Sequence, residues 1–339
     1  MEGAIPSRPN TRLARPRILS ALVQASSRSS VYCSDFSAAV ARVAVVTGGN
    51  KGIGFEVCRQ LASDGGVTVV LTARDETRGR EAVERLRALG LTDAVVVFHQ
   101  LDITDASSIA ALADFLKTRF GKLDILVNNA AIAGVEYPQD VDTNEEKFAG
   151  LDIKQRLEWM IKSVREPTDA AKKAVETNYY GTKHATQAPL PLLQSSSQGK
   201  IVCVSSDYGL LKFIGDEEVR RDLDDIDNLT EERVDELLDN FLSDFDAGVL
   251  EARGWPTGFS ASKLTLVAIN AYARIMARRH PTLRVNCADP GYVKTDMTMG
   301  SGVLTPEEGA RSMVGVALLP DGCPTGKYFT KGKEASFVS

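Results

Sequence analysis

The sequence predicts an α/β fold, a doubly wound parallel sheet in a single domain with two insertions. Three observations predict it. From residue 42 onward, short β-branched apolar runs alternate with amphipathic stretches of 10–15 residues. The runs are apolar throughout instead of alternating, as strands covered on both faces must be. The first run ends in a glycine-rich segment that opens a helix, the usual start of a chain of βαβ units.

The elements follow in order. RVAVVT (residues 42–47) reads as a buried strand, with a helix over 53–63. VTVVLTAR (67–74) is a second strand, and residues 76–89 form an amphipathic helix with Gly90 suited to its C-terminal cap. AVVVFHQLD (94–102) is a third strand, 105–120 a helix, and LDILVNN (123–129) a fourth strand. A long helix near 168–193 leads into KIVCVSS (200–206), and a helix over about 260–280 precedes the strand LRVNCA (283–288). A last strand lies near 327–330. The domain spans 42–335, with insertions at about 133–167 and 210–256. The second insertion contains TEERVDELLDNFLSDF, where Val234, Leu237, Leu238, Phe241, Leu242 and Phe245 recur at helical spacing and Thr230 is placed to cap. This helix packs an apolar stripe on the body, or it forms a lid over a substrate pocket.

Bulk properties narrow the function. With 43% hydrophobic and 25% charged residues the chain has an ordinary globular composition. A formal charge of −5 gives no sign of nucleic-acid binding. Between residues 215 and 246, fourteen acids against three arginines give −11, so the remainder carries +6; this acidic block fits a surface insertion. Five scattered cysteines (Cys33, Cys58, Cys203, Cys287, Cys323) contain no CxxC pair, and three histidines are dispersed, so neither a disulfide framework nor a metal site is expected. No stretch approaches the roughly 18–20 apolar residues of a membrane span. The first thirty residues hold five Arg and six Ser against one acid, Glu2. Residues 1–41 therefore read as an organelle transit peptide, a disordered extension or a misassigned start, and lie outside the fold. The expected location is cytoplasmic, or plastid or mitochondrial if the segment is a transit peptide.

TGGNKGIG (47–54) carries the chemistry. Gly48 permits the tight turn, Gly52 lets backbone approach a pyrophosphate, and Gly54 allows close helix–strand packing. Ile53 opens the helix whose N-terminus faces the phosphates. The second strand ends in Ala73 and Arg74, where an NAD site usually carries an acid. Lys51 lies in the glycine loop, and two cations near the adenine ribose favour a 2′-phosphate, hence NADP(H). Asp75, directly after Arg74, runs against this.

In this arrangement TGGNKGIG, LDITD (101–105), NNAA (128–131), TNYYG (177–181), IVCVSS (201–206) and PGYVKTDM (290–297) resemble the short-chain dehydrogenase/reductase family over residues 42–335. The insertions and GWP (254–256) are similar to the plant menthone/salutaridine reductase branch, itself similar to animal carbonyl reductases. The resemblance implies a Rossmann-type carbonyl reductase acting on a small molecule, cyclic ketones of the menthone or salutaridine type among them. It implies that Asp102 contacts adenine, that Asn128 supports the adenine-ribose side, and that Thr295 lies near the nicotinamide. It further implies a monomer, the long insertion covering the helices other members use to dimerise.

The family's catalytic set is an Asn, a Ser, and a Tyr followed four residues later by a Lys on the same helix face. Asn178 and Ser206 match. In this branch the helix reads Y-x-x-x-K-x-x-x-N, and with Asn270 as that final Asn, the Tyr position is Ser262 and the Lys position Leu266. Reading Phe259 and Lys263 as the pair restores a cation without a phenol and needs three extra helical residues, a rotation of about 300°. Either way the proton donor is absent; Tyr208, two residues after Ser206, and Tyr292, beside Pro290 and Gly291, are placed to lie near the pocket, as a substitute donor or packed with the hydroxyl in solvent. The chain is then a reductase with Ser262 and Leu266 in the catalytic positions, or a non-catalytic NADP(H) binder.

Overall fold

Eight strands form one sheet in the order β3-β2-β1-β4-β5-β6-β7-β8, in a computed structural model that describes residues 41–64, 66–137 and 145–339. The first half alternates β1 (Arg42–Val46), α1 (Gly52–Ser63), β2 (Val67–Ala73), α2 (Glu76–Ala88), β3 (Val96–Gln100), α3 (Ala106–Arg119) and β4 (Ile125–Asn128). These strands pair in parallel: Ala44 lies opposite both Val69 and Ile125. Chain order reverses between β1 and β4, which opens a crevice at the carboxyl ends of the two strands. The expected transit peptide or extension, Cys33 and part of the first insertion lie outside the described residues.

The first insertion contributes α4 (Ile153–Lys162). The single long helix expected near 168–193 is instead α5 (Thr168–Ala174), a π-helical turn Val175–Gly181, α6 (Thr182–Gln187) and α7 (Leu190–Ser195). Pro189 and Pro191 lack the amide hydrogens a continuous helix would need there. The chain continues through β5 (Lys200–Val204), α8 (Glu217–Asp224), α9 (Glu231–Asp246), α10 (Ser260–Arg279), β6 (Arg284–Asp289), α11 (Pro306–Ala317) and β7 (Tyr328–Thr330). A final strand, β8 (Lys333–Ala335), pairs antiparallel with β7, so the sheet is parallel except at this edge. Three residues with two charges carry no periodic signal, and sequence patterning missed it.

Apolar side chains fill both faces of the sheet. On one face Leu61, Leu71, Leu86 and Met313 are buried between β1–β2 and α1, α2 and α11. On the other, Leu116, Tyr179, Phe241 and Tyr272 join a core built from α3, α5, α9 and α10. In α9, Val234, Leu237, Leu238 and Phe241 are buried and Leu242 and Phe245 pack against them, while Thr230 accepts from Arg233 N to cap the helix. Tyr179 donates to Asp235 at 2.7 Å, and Lys183 Nζ lies 3.0 Å from both Glu231 and Asp235. These contacts fix α9 as a layer on the body, the first of the two roles expected for it.

Candidate active site

The glycine loop closes the crevice between β1 and β4. Gly48 has φ +66°, and a Cβ there would lie 3.1 Å from the Ala130 backbone. A Cβ on Gly54 would fall 2.4 Å from the Gly48 carbonyl oxygen. The close approach expected of Gly54 is therefore to its own loop and to Asn129, not to a strand. Asn129 staples this loop by donating to Thr47 O at 2.8 Å and Gly48 O at 3.1 Å. Thr47 Oγ1 accepts from Asn129 N and Ala130 N. The role of Asn129 escaped sequence reasoning, although it sits beside Asn128 in the same motif.

Gly52 has φ +55° and meets only Thr295 Cγ2, at 3.6 Å from the place of a Cβ, so Gly52 and Thr295 face each other across the cleft. No side chain caps α1 and its first turn holds no acid. The amides of Gly52, Ile53 and Gly54 are thus left for an anion. This cradle fits a dinucleotide pyrophosphate.

At the far end of β2, Arg74 and Asp75 are exposed. Asp75 accepts from Arg78 N at 2.9 Å and caps α2, which engages one of its two carboxylate oxygens. Arg78, in the first turn of α2, adds a cation that sequence reasoning passed over. Asp102 lies just beyond β3, where Leu101 N donates to Ala73 O. Its Oδ1 accepts from Thr104 N and Oγ1. Lys51 pairs with Asp296 at 2.5 Å, both side chains exposed. The Asn128 side chain is buried and donates to Thr186 Oγ1 at 2.8 Å, and its Oδ1 has no partner among the described residues.

The elements that carry the expected catalytic residues pack against one another. Asn178 sits in the π-helical turn, a widened geometry common at functional sites. It accepts from Ile132 N at 2.8 Å, donates to Ile132 O at 2.9 Å, and donates to Thr265 Oγ1 at 3.2 Å. Ser206 Oγ accepts from Tyr208 N at 3.2 Å, which leaves its hydrogen free to donate. Ser205, buried beside it, donates instead to Asn270 Oδ1 at 2.7 Å, and Asn270 donates to Gly209 O at 2.9 Å.

Within α10, residues 261–273 are buried except Ser262 and Leu266. Four residues apart, these two share the face turned toward the turn 206–209: a Cβ on Gly209 would lie 3.0 Å from Leu266 Cβ. The pair of the alternative register, Phe259 and Lys263, lies at the start of the same helix. Phe259 is buried in a cluster with Met160 and Met299 and holds a left-handed backbone, φ 56°. Its N–H and that of Ser260 donate to Glu166. Lys263 turns back to donate to Thr257 O at 2.7 Å. Tyr292 donates or accepts with Ser301 Oγ and reaches Met160 Sδ at 3.9 Å. Among the described residues no cluster of His, Cys, Asp and Glu could hold a metal, and no helix is long and apolar enough to cross a membrane.

The short chain dehydrogenase family model matches residues 42–216. The chain is 47% identical to (−)-isopiperitenone reductase of Mentha piperita, covering 87% of this chain and 98% of that one. It is 39% identical to carbonyl reductase [NADPH] 3 of Mus musculus, covering 82% and 91%. The structure of salutaridine reductase from Papaver somniferum superposes with a TM-score of 0.80 at 44% identity, covering 86% of this chain and 99% of that one.

Proposed function

The chain belongs to the short chain dehydrogenase family, in its plant menthone/salutaridine reductase branch, and on that premise we propose that it is an NADP(H)-dependent reductase of cyclic ketones whose acid catalysis is weakened at Ser262 and Leu266. The observation that carries the cofactor choice is Asp75. One oxygen of its carboxylate is held by the α2 cap, and beside it the ribose end offers Arg74 and Arg78 as cations for a 2′-phosphate. The similarity to a carbonyl reductase named for NADPH supports the same choice.

The bound nicotinamide supplies the hydride. The protein's own share follows from its residues. The amides of Gly52, Ile53 and Gly54 hold the pyrophosphate, Asp102 meets the adenine side, and Thr295 bounds the nicotinamide side. Ser206 Oγ–H donates to the substrate carbonyl, and Asn178 fixes the widened turn against α10. A serine at 262 is too short and too weak an acid to replace a phenol, and Leu266 removes both a tuning charge and a ribose contact. Positioned acid catalysis contributes about 10²–10⁴-fold, so slow turnover is expected. A monomer with α9 covering α5 and α10, in the cytoplasm, completes the proposal.

A second reading, an NADP(H) binder without turnover, is favoured by the same two substitutions. Titrating NADPH by fluorescence and then following its oxidation with cyclic ketones separates them. Turnover that is lost in Ser206→Ala supports the reductase; binding with no turnover supports the binder. No uptake of NADPH overturns both.

A further inference from the structure

We propose that Tyr208 is the proton donor that replaces the missing phenol, with the Lys263 ammonium as the charge that steadies its anion. This rests on the reductase reading above. Two tyrosines border the site, and their environments differ. The Tyr292 hydroxyl is engaged by Ser301 and Met160. The Tyr208 hydroxyl has no hydrogen-bond partner among the described residues, and its ring packs edge-on against Phe213, with centroids 5.7 Å apart.

Tyr208 also lies on the right turn. Its backbone N–H is held by Ser206 Oγ, so the phenol and the carbonyl-orienting serine move as one unit. That turn packs directly on Leu266 through Gly209, beside the place the family gives its cation.

The cation has moved to an adjacent position. Lys263 Nζ lies 5.1 Å from the Tyr208 ring centroid and 5.3 Å from that of Phe213. A phenolate spreads its charge over the ring, so an ammonium over the ring favours the anion more than the neutral phenol. Burial raises the Tyr208 phenol and lowers the Lys263 ammonium, the latter opposed by Glu166, so the steadying of the anion rests on the placement of the ammonium over the ring. The charged group facing the phenol ring is Lys263 from α10; Asp207 is turned to accept from Tyr328 at 3.0 Å.

The step balances. Hydride passes from the reduced dinucleotide to the carbonyl carbon, the C–O π bond breaks toward oxygen, and that oxygen takes the Tyr208 Oη proton. The phenolate is then reprotonated by water.

The test compares wild type, Tyr208→Phe and Lys263→Met for NADPH affinity by fluorescence and for kcat across pH with a cyclic ketone. Tyr208→Phe should lower kcat by about 100-fold or more with NADPH affinity within twofold. Lys263→Met should move the alkaline fall of kcat to higher pH, because the phenol without its cation ionises later; a packing role would not move that limb. Tyr208→Phe with kcat within threefold of wild type overturns the assignment. A wild type that binds NADPH but turns over no ketone overturns it too, while leaving the cofactor site standing. A protein that takes up no NADPH overturns the underlying reading as well.

Discussion

The side-chain amide of Asn178 donates to Thr265 Oγ1 at 3.2 Å, tying the π-helical turn to the helix that presents Ser262 and Leu266. One hydrogen bond thus joins the turn that holds Asn178 to the helix that holds Ser262 and Leu266.

The register of α10 is testable by repair. Ser262→Tyr with Leu266→Lys places a phenol and an ammonium one turn apart on the half-exposed face. Ketone reduction should rise by about 100-fold or more, measured as NADPH oxidation at saturating cofactor. Unchanged activity with intact NADPH binding would show that these positions do not meet the substrate.

The ribose end separates charge from capping. Arg74→Ala should weaken NADPH by about 10- to 100-fold, the worth of a charge-assisted hydrogen bond, and leave NADH within a few fold. Asp75→Ala removes the α2 cap and should cost about 1 kcal/mol of stability without strengthening NADH. Fluorescence titration with both cofactors, beside denaturant melts, distinguishes the two outcomes. If Asp75→Ala weakened NADH selectively, the carboxylate would be a ribose ligand after all.

Gly54→Ala probes the loop. The added methyl lies 2.4 Å from a backbone oxygen, so the loop must shift. A loss of about 1–3 kcal/mol is expected, together with reduced NADPH uptake. Thermal melts and titration of the variant measure both.

Asp124 provides a pH signature. It is buried, accepts from Val43 N at 2.8 Å and Ser196 Oγ at 2.5 Å, and lies 2.9 Å from Lys122 Nζ. Burial opposes its charge, but the hydrogen bonds from Ser196, Lys122 and Val43 outweigh it and hold the carboxyl below its ordinary value. A group lowered on folding contributes stability above its unfolded value, near 3.9, and loses it as pH falls through the folded one. Asp124→Asn should therefore cost about 1–3 kcal/mol at neutral pH, a gap that narrows as urea melts are repeated below pH 4. A gap independent of pH would rule out the carboxylate as its source.

What the sequence made legible follows from what periodicity encodes. Strands β1 to β6 are apolar runs bounded by turn residues, so their positions could be read within a residue or two. That Ser262 and Leu266 share one face of α10 was legible because they stand four residues apart. The π-helical turn was not, since a single widened turn leaves the apolar spacing of Ala171, Val175 and Tyr179 almost unchanged. Asp75 was ambiguous because one carboxylate can cap a helix or bind a ribose, and only backbone geometry decides. Asn128 and Asn129 are identical letters; which of them turns toward the loop depends on strand pleat and on Thr186, far along the chain. The contrast between Tyr208 and Tyr292 comes from Met160 and Ser301, remote partners that no local pattern announces.

The contact between Lys51 and Asp296 alters how an incoming phosphate is received. Lys51 already has a carboxylate as counter-ion, so an anionic ligand arriving there displaces one negative group with another and sheds few dissolved ions. Uptake at that lip of the cleft is accordingly less sensitive to ionic strength than uptake at Arg74, whose charge stands bare to solvent.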